Sequence, residues 1–291
     1  YIMLKGIDIY NGTGRPDFAA VKRAGISYVI HKATEGVNFT DKSFAANVTA
    51  ARAAGLPVGA YHFLRATPID RQAHDFLAAI NGHGPYACLA IDVENPRKNG
   101  VTIPEISNMG KAAITERIIT IYKAIRAAGY TCPVYVYSSA SWLRSLIDVD
   151  ACRKAGMLIW GAAYSSATPD NTDRSNAYDM WQWSSRGSVP GISGSVDMDV
   201  CYRGINTVSA PNYTCDTSGT VEIARGKAYQ AEITCKDAPK VVAGTPDEVT
   251  ILPRSNGGGK WYYYFVPIGK PGDCVGIYIN GGPKQFMVRV K

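Results

Sequence analysis

Two carboxylates one residue apart, Asp92 and Glu94, end the short apolar run Ala87-Cys-Leu-Ala-Ile91. A run of this length, set between Gly84-Pro85 and Asn95-Pro96, suits a buried strand rather than a helix. Strand side chains alternate in direction, so Asp92 and Glu94 project to one side at the C-terminal end. In open α/β sheets and barrels that end carries the chemistry. Two carboxylates leaving a strand into a cleft suit glycoside cleavage: crowding raises one pKa while the other group stays ionised. The same pair also reads as a turn cap and a lysine partner, and the motif alone leaves both readings open.

Further polar and aromatic residues fall at the ends of other predicted strands. They are Asp8, His31-Lys32 with Glu35, Tyr61-His62, Tyr137, Tyr164, Trp181-Gln182-Trp183, and Asp197 or Asp199. A rim of Tyr and Trp above a carboxylate floor stacks sugar rings while presenting acids to a glycosidic oxygen. Asp8 also suits a cap on the next turn, Lys32 and Glu35 a plain ion pair, and Asp199 a barrel-seam carboxylate. Alternation separates Gln182 from Trp181 and Trp183, so one set lines the mouth and the other packs outward.

The strands that position these groups read Gly6–Tyr10, Ser27–His31, Val58–Leu64, Ala87–Asp92, Pro133–Tyr137, Met157–Ala163, Ala177–Trp183 and Ser195–Tyr202. Helices are expected over Pro16–Ala24, Asp41–Ala54, Asp70–Ile80 and Pro104–Ala128, with a helical turn near Ser141–Leu146. Alternating strands and helices predict parallel pairing. The fold class is therefore α/β, an irregular (β/α) barrel of eight strands with the late helices missing. Ser209-Ala-Pro-Asn212 reads as a boundary, giving a barrel over 1–208 and a small all-β domain over 209–291. Six short strands are expected in that domain, joined in part by turns at Ser255–Gly259 and Asn280–Pro283. In Trp261-Tyr-Tyr-Tyr-Phe265, Trp261, Tyr263 and Phe265 share one face and Tyr262 and Tyr264 the other; one face reads as core, and the other as a platform for sugars or wall polymer or as part of a structural or oligomerising domain.

Composition narrows the partners. The 291 residues are 46% hydrophobic and 19% charged, as in a globular chain, and no apolar run reaches the roughly 18 residues that span a bilayer. The net charge of +7 is shared: residues 1–210 hold 21 Lys/Arg against 17 Asp/Glu, and residues 211–291 hold 10 against 7. Without a basic cluster, nucleic acid is not an expected partner, whereas a polyanionic surface is. Seven scattered cysteines without a Cys-x-x-Cys pair read mostly as reduced apolar residues, with one bridge among Cys215, Cys235 and Cys274 left open. His31, His62, His74 and His83 lack metal-ligand spacing, which argues against a zinc deacetylase; no metal or other cofactor is expected.

Taken together, Gly6-Ile-Asp-Ile-Tyr10, Lys32-Ala-Thr-Glu-Gly36, Gly59-Ala-Tyr-His-Phe63, Ala90-Ile-Asp-Val-Glu94, Trp181-Gln-Trp183 and Gly191-Ile-Ser-Gly-Ser-Val-Asp197 resemble, in order and spacing, the family 25 glycoside hydrolases. These are the lysozymes, or N-acetylmuramidases, of bacteria and their phages, and the resemblance covers about residues 4–203. It implies cleavage of the β-1,4 bond between N-acetylmuramic acid and N-acetylglucosamine in peptidoglycan. By motif match Glu94 would be the general acid and Asp92 the transition-state stabiliser, retaining through acetamido assistance, with Asp8 and Asp197 completing the floor. Lys32, Tyr61, Tyr137, Tyr164, Trp181, Gln182 and Trp183 would bind substrate. A catalytically silent carbohydrate-binding barrel and a chitin-directed glycosidase are the competing readings. Four converging acids argue against the first. The N-terminus shows no secretory leader, which fits an endolysin held in the cytoplasm until release or a trimmed secreted autolysin; either acts at the bacterial wall, with the small domain offering contacts to anionic wall polymer.

Overall fold

Eight short segments with side chains alternating between two apolar environments close into a barrel. The computed structural model describes residues 3–205, 213–235, 237–255, 258–279 and 284–291, which divide into two compact units. The expected boundary at Ser209–Asn212 and the turn at Asn280–Pro283 lie outside these residues, as do Asn256 and Gly257.

The barrel strands are β1 (Leu4–Ile9), β2 (Tyr28–Glu35), β3 (Val58–Phe63), β4 (Leu89–Asp92), β5 (Val134–Ser139), β6 (Leu158–Ala162), β7 (Met180–Gly187) and β8 (Val196–Cys201). They close in the order β1-β8-β7-β6-β5-β4-β3-β2. Helices α1 (Phe18–Arg23), α2 (Phe44–Ala53), α3 (Ile69–Ile80), α4 (Lys111–Ala127), α5 (Ala140–Ser145) and α6 (Val149–Ala155) lie between strands up to β6. Pairing is parallel from β1 through β2 to β7, but β8 runs antiparallel to both β7 and β1. This corrects the expectation of all-parallel pairing. Only eight residues separate Gly187 from Val196, and a parallel return needs a dozen or more. The reversal brings the start of β8, not its end, to the mouth, and with it Asp197.

Local chemistry explains other departures. Helix α1 starts at Phe18 rather than Pro16, because the Asp17 carboxylate accepts the N–H groups of Ala19 and Ala20 at 3.0 and 3.1 Å. The helix expected from Pro104 starts only at Lys111, since Gly110 at φ 78° breaks the helical path. Helix α6 was not anticipated, although Asp148 caps it and Gly156 ends it in the left-handed conformation.

Two apolar layers hold the barrel. Outward residues such as Ile7, Val29, Leu89, Ile91, Val136 and Ile159 pack under the helices, where α4 contributes Ile114, Ile118, Ile121 and Ile125 along one stripe. Each such side chain stabilises by roughly 2 kcal/mol. Inward residues Tyr28, Ile30, Cys88, Ala90, Tyr135, Trp160 and Met180 fill the interior. Gly6 is obligatory there, as a Cβ would stand 2.1 Å from the Tyr28 ring.

The second unit holds two four-stranded sheets. With β9 (Tyr213–Cys215), β10 (Gly219–Ile223), β11 (Tyr229–Cys235), β12 (Val241–Ala243), β13 (Val249–Ser255), β14 (Lys260–Pro267), β15 (Cys274–Ile279) and β16 (Lys284–Val290), their orders are β9-β11-β14-β13 and β10-β16-β15-β12. Strands β9 and β12, three residues each, are too short to show alternation and were not expected. Tyr263 and Phe265 are buried with Trp261 packed beside them, and Phe265 meets Phe286 of the other sheet edge-on at 5.0 Å. Tyr262 and Tyr264 therefore take the opposite, outer face of β14. All seven cysteines are free thiols.

Candidate active site

At the C-terminal ends of the parallel strands the inward positions turn from apolar to polar. They line a cleft of about 490 Å³ with Asp8 from β1, Lys32 and Glu35 from β2, Tyr61 and Phe63 from β3, Asp92 from β4, Tyr137 from β5, Trp160 from β6, Gln182 from β7 and Asp197 from β8. Glu94 enters just beyond β4, and Tyr10 and Tyr164 stand half exposed at the rim.

Asp92 and Glu94 share the floor in hydrogen-bonding contact. Burial pushes both carboxyls up, Asp92 well above the usual range with the charge of Glu94 adding to the rise, while the hydrogen bond with Asp92 offsets part of the rise at Glu94. One proton held between two crowded acids is the expected state. Asp92 Oδ1 is buried without a hydrogen-bond partner. Lys32 opposes the rise by favouring both anions.

Gln182 is the hub of the opposite wall. Its Nε2 donates to Asp8 Oδ2 at 2.5 Å, and its Oε1 accepts from Tyr137 OH at 2.8 Å and from Tyr164 OH. Asp8 sits across from Asp197 in the β1–β8 register, and burial with the charges of Asp199 and Asp197 holds its pKa well up. Asp199 lies deeper, 1% exposed, with Trp160 Nε1 donating to it at 2.9 Å. It is a barrel-interior carboxyl in the layer below the cleft lining.

Burial raises the Asp197 carboxyl to about 6. Its folded pKa exceeds its unfolded one, so the stability it contributes is present below about pH 4 and lost as pH rises through 6. Asp197→Asn is therefore expected to stabilise the barrel at pH 8 by at most on the order of 2 kcal/mol after discounting for partial exposure, and so to raise its melting temperature. Thermal melts at pH 8 and pH 4 check this, since the gain should vanish at the lower pH.

Lys32 is an ion-pair member as well as a cleft residue. Its Nζ donates to Glu35 at 2.5 Å and lies 4.5 Å from the centre of the Phe63 ring. Glu35 also accepts from Arg65 at 2.6 Å, and Arg65 grips Glu105 with Nε and Nη2. Arg65 and Glu105 escaped the sequence reading because they meet across 40 residues of chain.

The structure brings Asp8, Lys32, Tyr61, Asp92, Glu94, Tyr137, Tyr164, Gln182 and Asp197 together around the cleft. It does not place Trp181 or Trp183 there. Trp181 is fully buried on the outward face, its Nε1 donating to the Ala163 carbonyl, and Trp183 packs against the same outer core, because Gln182 takes the inward direction. His62 is likewise outside the cleft. It lies under α3, accepting from Thr34 Oγ1 at 2.8 Å and donating from Nε2 to Gln72 Oε1 at 2.9 Å. Tyr10, Phe63 and Trp160 line the cleft without having been singled out, as does Arg97 of the hairpin formed by Arg97–Lys98 and Val101–Thr102. The Asn99-Gly100 pair, at φ 50° and 80°, is a hairpin signal that the sequence carries plainly.

Burial lowers His62 to a pKa of about 4. The fold thus favours its neutral form, and that contribution, on the order of 3 kcal/mol, is complete above pH 6.5 and lost as pH falls toward 4. His62→Gln should flatten the fall in melting temperature across this window, read by comparing melts at pH 7 and pH 4.

A closed β/α barrel with a close carboxyl pair beneath a tyrosine-edged cleft defines a protein built for acid-assisted chemistry on a glycosidic bond. The chain belongs to glycosyl hydrolases family 25, whose pattern matches residues 7–192. It is 38% identical over 203 residues to the autolytic lysozyme of Clostridium acetobutylicum, covering 69% of this chain and 57% of that one. It is 30% identical over 199 residues to lysozyme M1 of Streptomyces globisporus, covering 67% and 66%. The chain thus spans less than two thirds of either relative's length. The crystal structure of the bacterial lysozyme from Streptomyces coelicolor is similar with a TM-score of 0.54 at 28% identity, over 69% of this chain and 93% of that one. Among the described residues no helix is long and apolar enough to cross a membrane.

Proposed function

We propose that this protein is a peptidoglycan hydrolase, a lysozyme cleaving the β-1,4 bond between N-acetylmuramic acid and N-acetylglucosamine. The observation that carries the reading is the Asp92–Glu94 pair, a buried carboxyl and a more exposed one in hydrogen-bonding contact on the cleft floor with both pKa values raised. A carboxyl kept protonated near neutral pH is what a glycosidic leaving oxygen needs.

Glu94, at the rim side of the pair, gives its proton to the leaving oxygen as the bond to the anomeric carbon breaks. An enzymic nucleophile and its acid stand about 5 Å apart to bracket a sugar. The expected substrate carries an acetamido group, which favours attack by that group's own oxygen, with Asp92 orienting it and balancing its developing positive charge. Water then opens the intermediate from the face the leaving group vacated, Glu94 takes the water's proton, and configuration is retained. Asp8 and Asp197 hold the floor's charge, Gln182 ties Asp8 to Tyr137 and Tyr164, and Tyr61 and Lys32 contact the sugar. We assign this chemistry to residues 1–208. To residues 209–291 we assign wall attachment, through the outer Tyr262 and Tyr264 face and the domain's positive charge toward anionic wall polymer. Either an endolysin or an autolysin fits this division, acting at the bacterial wall.

The test is digestion of purified peptidoglycan followed by reduction and analysis of the new ends. Muramic-acid reducing ends support the reading, and glucosamine ends or intact glycan overturn it.

A further inference from the structure

Among the residues lining the cleft two are cationic, and they differ in state. Lys32 is held by Glu35 at 2.5 Å and covered by Phe63, so its charge is spent within the protein. Arg97 is exposed at the rim, three residues beyond Glu94 on the same segment. Among the described residues it has no ion pair, and its one hydrogen bond runs from Nη2 to the Gly100 carbonyl at 3.0 Å. That bond lies within the hairpin, where Lys98 pairs with Val101 across the Asn99-Gly100 turn, and Ile103 N–H donates to the Pro96 carbonyl at 2.9 Å. The guanidinium is thus tethered on a short hairpin by one N–H of Nη2, so one of its two-donor edges, each of which includes Nη2, stays turned to no protein partner.

A planar two-donor edge matches a carboxylate bidentately. The setting also calls for such a group, because a ligand bearing carboxylates meets a floor of four acids, and whichever of these is ionised repels it unless a cation at the edge compensates. We propose that Arg97 is a specificity residue that binds a carboxylate of the glycan substrate, the peptide-stem carboxylate that distinguishes peptidoglycan from uncharged N-acetylated glycans. The proposal rests on the peptidoglycan reading above, and deepens it by assigning acid recognition to the hairpin rather than to Lys32.

The experiment measures binding, so that it stands apart from turnover. In the full chain carrying Glu94→Gln, calorimetry compares soluble muropeptide oligomers having free stem carboxylates with the same oligomers amidated at those positions. The ratio of the two affinities should fall about tenfold on adding Arg97→Ala and persist largely on adding Arg97→Lys. Lys98→Ala should leave the ratio near its starting value. A ratio unmoved by Arg97→Ala overturns the inference, and so does an unaltered hairpin that prefers the amidated ligand. Misfolding would depress both affinities together and so does not imitate the expected fall. If the ratio responds as expected while the wild-type chain yields no muramic-acid ends, the carboxylate site stands and the catalytic reading falls.

Discussion

Glu94→Gln is expected to lower turnover on peptidoglycan by about 10²–10⁴-fold while binding of the glycan persists. Glutamine fills the same volume and keeps a donor, but it has no proton to release to the leaving oxygen. Two controls separate this loss from damage to the cleft. On a synthetic substrate with an acidic aryl leaving group, which departs without protonation, the variant should lose far less, because only the acid step is missing. The pH profile should also change character. Since burial raises the pair, wild-type activity is expected to fall as pH rises past the pair's apparent pKa, the macroscopic value belonging to both groups. Once the acid is replaced by an amide, that alkaline limb should disappear from whatever activity is left. Equal turnover in the two proteins would mean that the carboxyl pair is not the reacting group.

How much of this floor a sequence discloses depends on whether its geometry is local. Asp92 and Glu94 were legible because i and i+2 on a strand must face one way, and Asp8 and Asp197 because they fall within the motifs Gly6–Tyr10 and Gly191–Asp197. The seventh strand marks the limit. Alternation separates Gln182 from Trp181 and Trp183 without saying which direction is inward; that is set by the closed sheet, and tryptophan at a strand end proved to be outer core. His62 went the same way, its neighbour Tyr61 taking the inward position. Strand β2 extends to Glu35, four residues past the expected end at His31, so Lys32 and Glu35 stand on the sheet rather than in a loop. The Arg65–Glu105 clamp behind them joins two loops that only the fold brings together. By contrast the Asn99-Gly100 dipeptide carries a hairpin signal that the sequence reading passed over, and the β7–β8 link, eight residues in the structure, is too short for the parallel return that was expected.

Asp179→Ala is expected to cost about 3–5 kcal/mol, the largest stability loss of any single truncation in the barrel's polar framework. The carboxylate is 1% exposed and placed just before β7. Its Oδ2 accepts the Ile159 N–H at 2.8 Å and Arg153 Nη1 at 3.1 Å, and its Oδ1 accepts Arg203 Nε at 2.7 Å. Its own N–H donates to the Ile159 carbonyl, and its carbonyl accepts from Tyr202 and Arg203. One residue thus joins β6, α6, the start of β7 and the exit of β8, at the point where the antiparallel strand leaves the sheet. The two arginines are half exposed and regain water when the acid is removed, so the cost falls mainly on the buried Ile159 N–H and on the cavity. Asp179→Asn keeps an oxygen for that N–H and should lose distinctly less. Across a unit of this size the Ala variant's melting transition should drop by roughly 10 °C. Because β7 also carries Gln182 three residues on, the framework at the closed end sets the height at which the hub meets Asp8. Melting curves of the two variants, read beside turnover well below the transition, divide the effects: a barrel that melts early yet turns over when folded assigns Asp179 to the frame, whereas loss of turnover without loss of stability would assign it to the chemistry instead.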